Sequence, residues 1–130
     1  MKNHKSILVV LFISLFVTTI SAQKQSVLIN QKTFRTNSNT SVKITFEVDQ
    51  LTSAAQVEAL RVKLASFAGV VKVEATPAAA NKSTYLMTFP TAFKAQNLQD
   101  ALISAGLNDV IVNNKDNIKT TELVNHYKQK

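Results

Sequence analysis

Apolar and polar residues alternate from Val42 to Val48: Val42, Ile44, Phe46 and Val48 are apolar, and Lys43, Thr45 and Glu47 are polar. Successive side chains on a strand point to opposite faces, so this period predicts a strand with one buried and one wet face. The period then lengthens. Val57, Leu60, Leu64 and Phe67 recur three or four positions apart, while Glu58, Arg61 and Lys63 fall outside that stripe. This is the pattern of an amphipathic helix. Thr52 or Ser53 is placed to cap it, since a hydroxyl accepts from the free amides of the first turn. Gly69 is expected to end it, because a left-handed terminal position favours glycine. Val70 to Ala75 reads as a second strand with Val71 and Val73 on one face, and Thr76 to Lys82 as a hairpin connection. Ser83 to Phe89 reads as a third strand carried by Tyr85, Met87 and Phe89, and Pro90 stops it. A second helix is predicted from Ala95 to Ala105, with Leu98, Ala101, Leu102 and Ala105 inward and Gly106 as its end. Val110 and Val112 carry a fourth strand over Asp109 to Asn113.

The order strand, helix, strand, strand, helix, strand predicts an α+β fold. Right-handed crossovers make it a ferredoxin-like βαββαβ sandwich, with two helices on one face of a four-stranded antiparallel sheet. Lys43, Thr45, Glu47, Lys72 and Glu74 are expected on the open face, which argues against a large apolar patch there. This domain occupies residues 42–113. Residues 23–41 are polar and mixed. Val27, Ile29 and Phe34 allow one short strand, Thr36 to Ser41 has the composition of a solvated linker, and the whole segment is expected to be a mobile or loosely docked leader. Residues 114–130 form a basic tail in which Thr121-Glu122-Leu123-Val124 starts a short helix, with Leu123, Val124 and Tyr127 as its apolar side. Docking and fraying of that tail are both open.

Ahead of these lies a different kind of pattern. Lys2 and Lys5 precede an apolar run of 14 residues from Ile7 to Ile20, broken by Ser14, Thr18 and Thr19, and Ser21-Ala22 supplies small residues before Gln23. This is a secretory signal peptide over residues 1–22, with cleavage expected after Ala22. A retained anchor is disfavoured, because a membrane span needs about 20 apolar residues. The chain has 130 residues, and removal of 22 leaves 108, enough for one domain with a modest core. Of 15 basic residues 13 remain against 8 acidic ones, a net charge of +5. The lysines are scattered and no aromatic residues interleave with them, so nucleic-acid binding has little support. The basic balance favours acidic surfaces or anionic envelope components only weakly. There is no cysteine. In an oxidising compartment stability must then come without disulfides, and thiol chemistry is excluded.

The stretch Gln50-Leu51-Thr52-Ser53-Ala54-Ala55-Gln56, set between the first strand and the first helix, resembles the metal loop of the heavy-metal-associated domain family, which commonly reads Met-Thr-Cys-x-x-Cys. Leu51-Thr52 stands for Met-Thr, and Ser53 and Gln56 stand for the two cysteines. Gly69 and Val70 lie 13 and 14 positions after Gln56, where members of the family carry Gly-Val, and Val70, Val73 and Ala75 follow the strand rhythm. Thr88-Phe89-Pro90 with Phe93 resembles the end of the family's third strand, without its Asp, and Ala105-Gly106-Leu107 resembles the turn before its last strand. The resemblance covers Lys43 to Asn113 and implies the βαββαβ fold. It also implies where the family's chemistry would sit and that it is gone. Soft thiolates select Cu(I), whereas Ser53 offers a hydroxyl and Gln56 a neutral amide. Leu107 carries neither the lysine nor the aromatic that members place there.

No other constellation is convincing. His126 is the single histidine left after signal removal, since His4 is lost, and a lone tail histidine is more often solvated than a ligand. Met87 lies on a strand and is expected in the core or on the sheet face. Glu47, Asp49 and Glu58 cluster in sequence, but Ca²⁺ needs six or more oxygen ligands. No catalytic residues, metal ligands or cofactor are assigned. The chain is expected to be an exported, non-catalytic binding module, periplasmic or secreted, that contacts an unidentified protein. The contact candidates are Leu51, Thr52, Ser53, Gln56 and Leu107; a homo-oligomer through a sheet edge is a further expectation, with no membrane contact after signal removal. The alternative is weak metal handling, as an accessory of copper or zinc transport, through oxygen ligands, His126 or a partner's cysteines.

Overall fold

In the computed structural model, β3 (Val42–Val48) alternates buried and wet residues as its period of two predicts, because Val42, Ile44, Phe46 and Val48 all enter the core. Residues 24–128 apart from Ala78 are described; the signal peptide expected over 1–22 lies outside them, as do the side chains of Tyr127 and Lys128. Strand β5 (Ser83–Phe89) pairs antiparallel with β3 along its whole length, from Val42 opposite Phe89 to Val48 opposite Ser83. Strand β4 (Lys72–Ala75) pairs with the other side of β5. Helix α1 (Ala54–Ala65) buries Val57, Leu60 and Leu64, and helix α2 (Ala95–Ser104) buries Leu98, Ala101 and Leu102. Ala105, just past α2, is buried too. All these residues belong to one core cluster with the inward side of the sheet. Both helices therefore cover the same face, and the fold is α+β.

The sheet is larger than the expected four antiparallel strands. Among the described residues it has seven, in the order β4-β5-β3-β1 (Ser26–Ile29)-β6 (Asp109–Val112)-β7 (Asp116–Lys119), with β2 (Arg35–Asn37) beside β3. Strand β1 (Ser26–Ile29) comes from the segment expected to be a leader. It lies antiparallel to β3 and parallel to β6 (Asp109–Val112), so it separates the two strands that a four-stranded arrangement would place side by side. The physical reason is its own period of two: Val27 and Ile29 are buried, and the ladder on both sides satisfies backbone groups that a loose leader would leave to water. Strand β2 (Arg35–Asn37) continues along the first half of β3. Between β1 and β2 the chain leaves the ladder at residues 30–34, where Asn30 O accepts from Thr33 N and Phe34 N at 3.1 and 2.9 Å. Phe34 returns to the core. The linker expected over residues 36–41 shrinks to a turn in which Ser38 N donates to Ser41 O at 2.9 Å.

The tail docks. Strand β7 (Asp116–Lys119) pairs with β6, a 3₁₀ turn covers Thr120–Glu122, and α3 (Leu123–Lys128) follows. Leu123 is fully buried, and Gln99 of α2 accepts from Val124 N at 2.9 Å. Thr120 is buried with its hydroxyl donating to Leu107 O at 2.7 Å.

Two local expectations change. Helix α1 ends at Ala65 with Ser66 as its cap, ahead of Gly69, whose φ of +95° shapes the turn that follows. Val71 precedes β4 and is exposed, so it does not share the burial of Val73. Lys43, Glu47, Lys72 and Glu74 are exposed on the open face as expected, and Thr45 is half-buried.

Candidate functional site

The loop after β3 is tied down at every second or third residue. Asp49 N donates to Ser26 O at 3.1 Å, and Ser26 N donates to Asp49 Oδ1 at 2.6 Å, which joins the loop to the start of β1. Gln50 turns the chain with a left-handed φ of 58°. Leu51 N then donates at 3.0 Å to Asn81 O at the tip of the β4–β5 hairpin, and the Leu51 side chain is fully buried. Ser53 is the N-cap of α1, its hydroxyl accepting from Gln56 N at 3.2 Å. The Gln56 side chain reaches back: its Oε1 accepts from Thr52 N at 2.7 Å and from Thr52 Oγ1 at 2.9 Å. A backbone N–H can only donate, so the carboxamide oxygen must face Thr52 and the NH₂ group must point away from it. Ser53 and Gln56 thus both serve the helix terminus, where the first amides lack intrahelical partners.

Leu107 has an equally structural role. Gly106 N donates to Ile103 O and Leu107 N to Leu102 O, both at 2.9 Å, with Gly106 at a φ of +84°. This is the closing pattern in which a left-handed glycine lets its own amide and the next one satisfy the last helical carbonyls. The Leu107 side chain is then fully buried in the core. Leu51 and Leu107, taken from sequence as contact residues, therefore present no surface, because the turns that hold them direct apolar side chains inward. Of the five candidates, Thr52 and Ser53 are exposed and Gln56 is half-buried.

Around Gln56 the surface forms a groove of about 610 Å³. It runs along α1 from Gln56 to Lys63 and is walled by Ala105-Gly106 and Asn108-Asp109, with Lys24 and Lys119 also lining it. Lys119 Nζ pairs with Asp109 Oδ1 at 3.0 Å. Lys24 and Lys63 have no ion-pair partner among the described residues. Sequence reading missed this convergence. Lys24, Lys63 and Lys119 belong to three separate segments and are scattered along the chain; only the pairing of β1 with β6, and the packing of α1, gathers them. A second, larger groove of about 890 Å³ lies on the open face of the sheet, between the excursion at residues 30–34 and the side chains of Thr45, Glu47 and Thr84. Asn113 braces that excursion by accepting from Gln31 N at 2.9 Å.

The acidic residues near the loop do not converge. Arg61 holds Glu58 through hydrogen bonds at 2.6 and 2.8 Å, which keeps the Glu58 carboxyl below the usual carboxylate range. Asp49 is engaged with Ser26 and Glu47 faces outward on the open sheet. No group of three or more His, Cys, Asp or Glu side chains is placed to hold a metal ion among the described residues. Met87 is a core residue, and His126 is half-buried in α3 with no partner for Nε2 among the described residues. No protein-family model, curated protein or solved structure matches the chain.

Proposed function

We propose that this chain is a non-catalytic, exported binding module, acting in the periplasm or outside the cell after loss of residues 1–22, and that it serves a protein partner through the end of the domain that carries residues 52–56. On this reading the architecture is an elaborated ferredoxin-like scaffold. Strands β3, β4, β5 and β6 with α1 and α2 are the βαββαβ unit, β1 is inserted between β3 and β6, and β2 and β7 are additions. The observation that carries the functional reading is the use of Ser53 and Gln56. Their side chains complete a helix cap, the hydroxyl by accepting from Gln56 N and the carboxamide by accepting from Thr52. Neutral oxygens already bonded within the loop are poor ligands for a soft monovalent ion.

The alternative reading, metal handling through weak oxygen ligands, His126 or a partner's cysteines, is separated by one titration. Cu(I) and Zn(II) affinities are measured by chelator competition on the exported protein and on its S53C/Q56C variant. The expected result is no tight binding by the unmodified protein and clear Cu(I) binding by the double variant. Tight Cu(I) binding by the unmodified protein rejects the module reading in favour of metal handling.

A further inference from the structure

We infer that the groove beside α1 receives an acidic segment of a partner protein, with the Gln56 carboxamide and the ammonium groups of Lys24 and Lys63 meeting its carboxylates. The inference rests on the reading of the chain as a binding module and names the chemistry of what it binds. Four charged residues line the groove, Lys24, Lys63, Lys119 and Asp109, which leaves it two positive charges in excess. The pair Lys119–Asp109 is internally neutral. The excess therefore sits on Lys24 and Lys63, the two cations of the groove lining with no ion pair among the described residues. The open-face groove is different, with Lys32 and Glu47 balancing each other.

Gln56 adds direction to this charge. Thr52 fixes the carboxamide oxygen through two hydrogen bonds, and the NH₂ group has no acceptor among the described residues. A carboxylate is acceptor-only, so it pairs with such a donor and with ammonium groups without leaving a donor of its own unmet. The donor is preorganised by the helix cap, which reduces the ordering cost of binding. A peptide suits the groove better than a small anion. The lining extends over the two turns of α1 from Gln56 to Lys63, and the further amides of Gln50 and Asn108 can both donate to and accept from a peptide backbone.

The test uses fluorescein-labelled hexaglutamate and fluorescence anisotropy at low and physiological salt with the exported protein. Binding is expected, with affinity reduced at least tenfold in K24E/K63E. Variant K32E/K43E carries the same charge change on the open sheet face and is expected to lose no more than the general effect of net charge, about twofold. Variant Q56E keeps an oxygen for Thr52 but replaces the donor by a carboxylate. It is expected to melt like the unmodified protein and to bind hexaglutamate at least tenfold more weakly. Absence of binding, equal losses in the two lysine pairs, or unchanged binding by Q56E overturns the groove assignment. Equally strong competition by inorganic phosphate, or by an anionic polysaccharide fragment at matched charge, overturns the choice of a peptide. Failure here is distinguishable from failure of the module reading, because the Cu(I) titration is indifferent to the lysine pairs.

Discussion

At the scale of single residues, the loop from Asp49 to Gln56 is held partly by side-chain hydrogen bonds that substitutions can remove one at a time. Ser53→Ala takes away the N-cap acceptor of α1, and loss of such a cap costs about 1 kcal/mol. A urea titration followed by circular dichroism should show the midpoint falling with an unchanged slope, whereas Ser53→Asp should keep it. Tyr85 offers a second test. Its hydroxyl is buried and donates to Val57 O at 2.8 Å, and burial raises its pKa to about 12. The unfolded tyrosine ionises near its ordinary value of about 10. A group whose folded pKa is raised stabilises the fold fully below the unfolded value, and that stabilisation is lost as pH rises from about 10 to the folded value of about 12. Tyr85→Phe is therefore expected to lose about 1 kcal/mol at neutral pH and to show a shallower alkaline loss of stability, read from melting temperatures between pH 8 and 12.

At the scale of elements, periodicity was a reliable guide wherever an element is long enough to show two repeats. The stripe Leu98, Ala101, Leu102 and Ala105 is buried as the 3.6-residue period requires, and so is the alternation through β3 and β5. In the short elements the pattern marks an apolar side, as at Val27 and Ile29 or at Leu123 and Val124, but not what that side packs against. Helix α3 has six residues, too few to persist alone in water. It exists because Leu123 is buried and because Gln99 supplies an acceptor to Val124 N. Gln99 is a buried polar residue on a helix whose inward positions were otherwise apolar, and nothing in the helical period marks it as an acceptor for a segment 25 positions away. Gln99→Ala should leave that amide orphaned at the start of α3. Hydrogen exchange of the amides at Val124 to His126 is expected to accelerate by tenfold or more, while exchange in β3 and β5 stays slow.

At the scale of the whole molecule, the segment before residue 42 decides the sheet. A detachable leader could be cut away at no cost to the domain. Strand β1, however, lies between β3 and β6, and its removal strips the ladder from both and opens the core at Val27 and Ile29. A chain starting at Ser41 is expected to lose its cooperative thermal transition, and a two-state melt like that of the longer chain would show that β1 is dispensable. With no cysteine in the sequence, no disulfide can compensate. The same insertion brings Lys24 close to Lys63 and Lys119. The basic groove is therefore a product of the topology, and no arrangement of lysines along the chain announces it.

The sequence alone determined what depends on neighbours a few positions apart: the strand and helix periods from residue 42 to 113, the cap at Ser53, the left-handed turn at Gly106 and the absence of thiolates. Tertiary structure decided what depends on partners far along the chain, namely the place of β1 in the sheet, the docking of the tail, the burial of Leu51 and Leu107 and the gathering of three lysines around Gln56. Local patterns report which face of an element is apolar. Which element comes to cover that face is set by competition among all the faces for a single core.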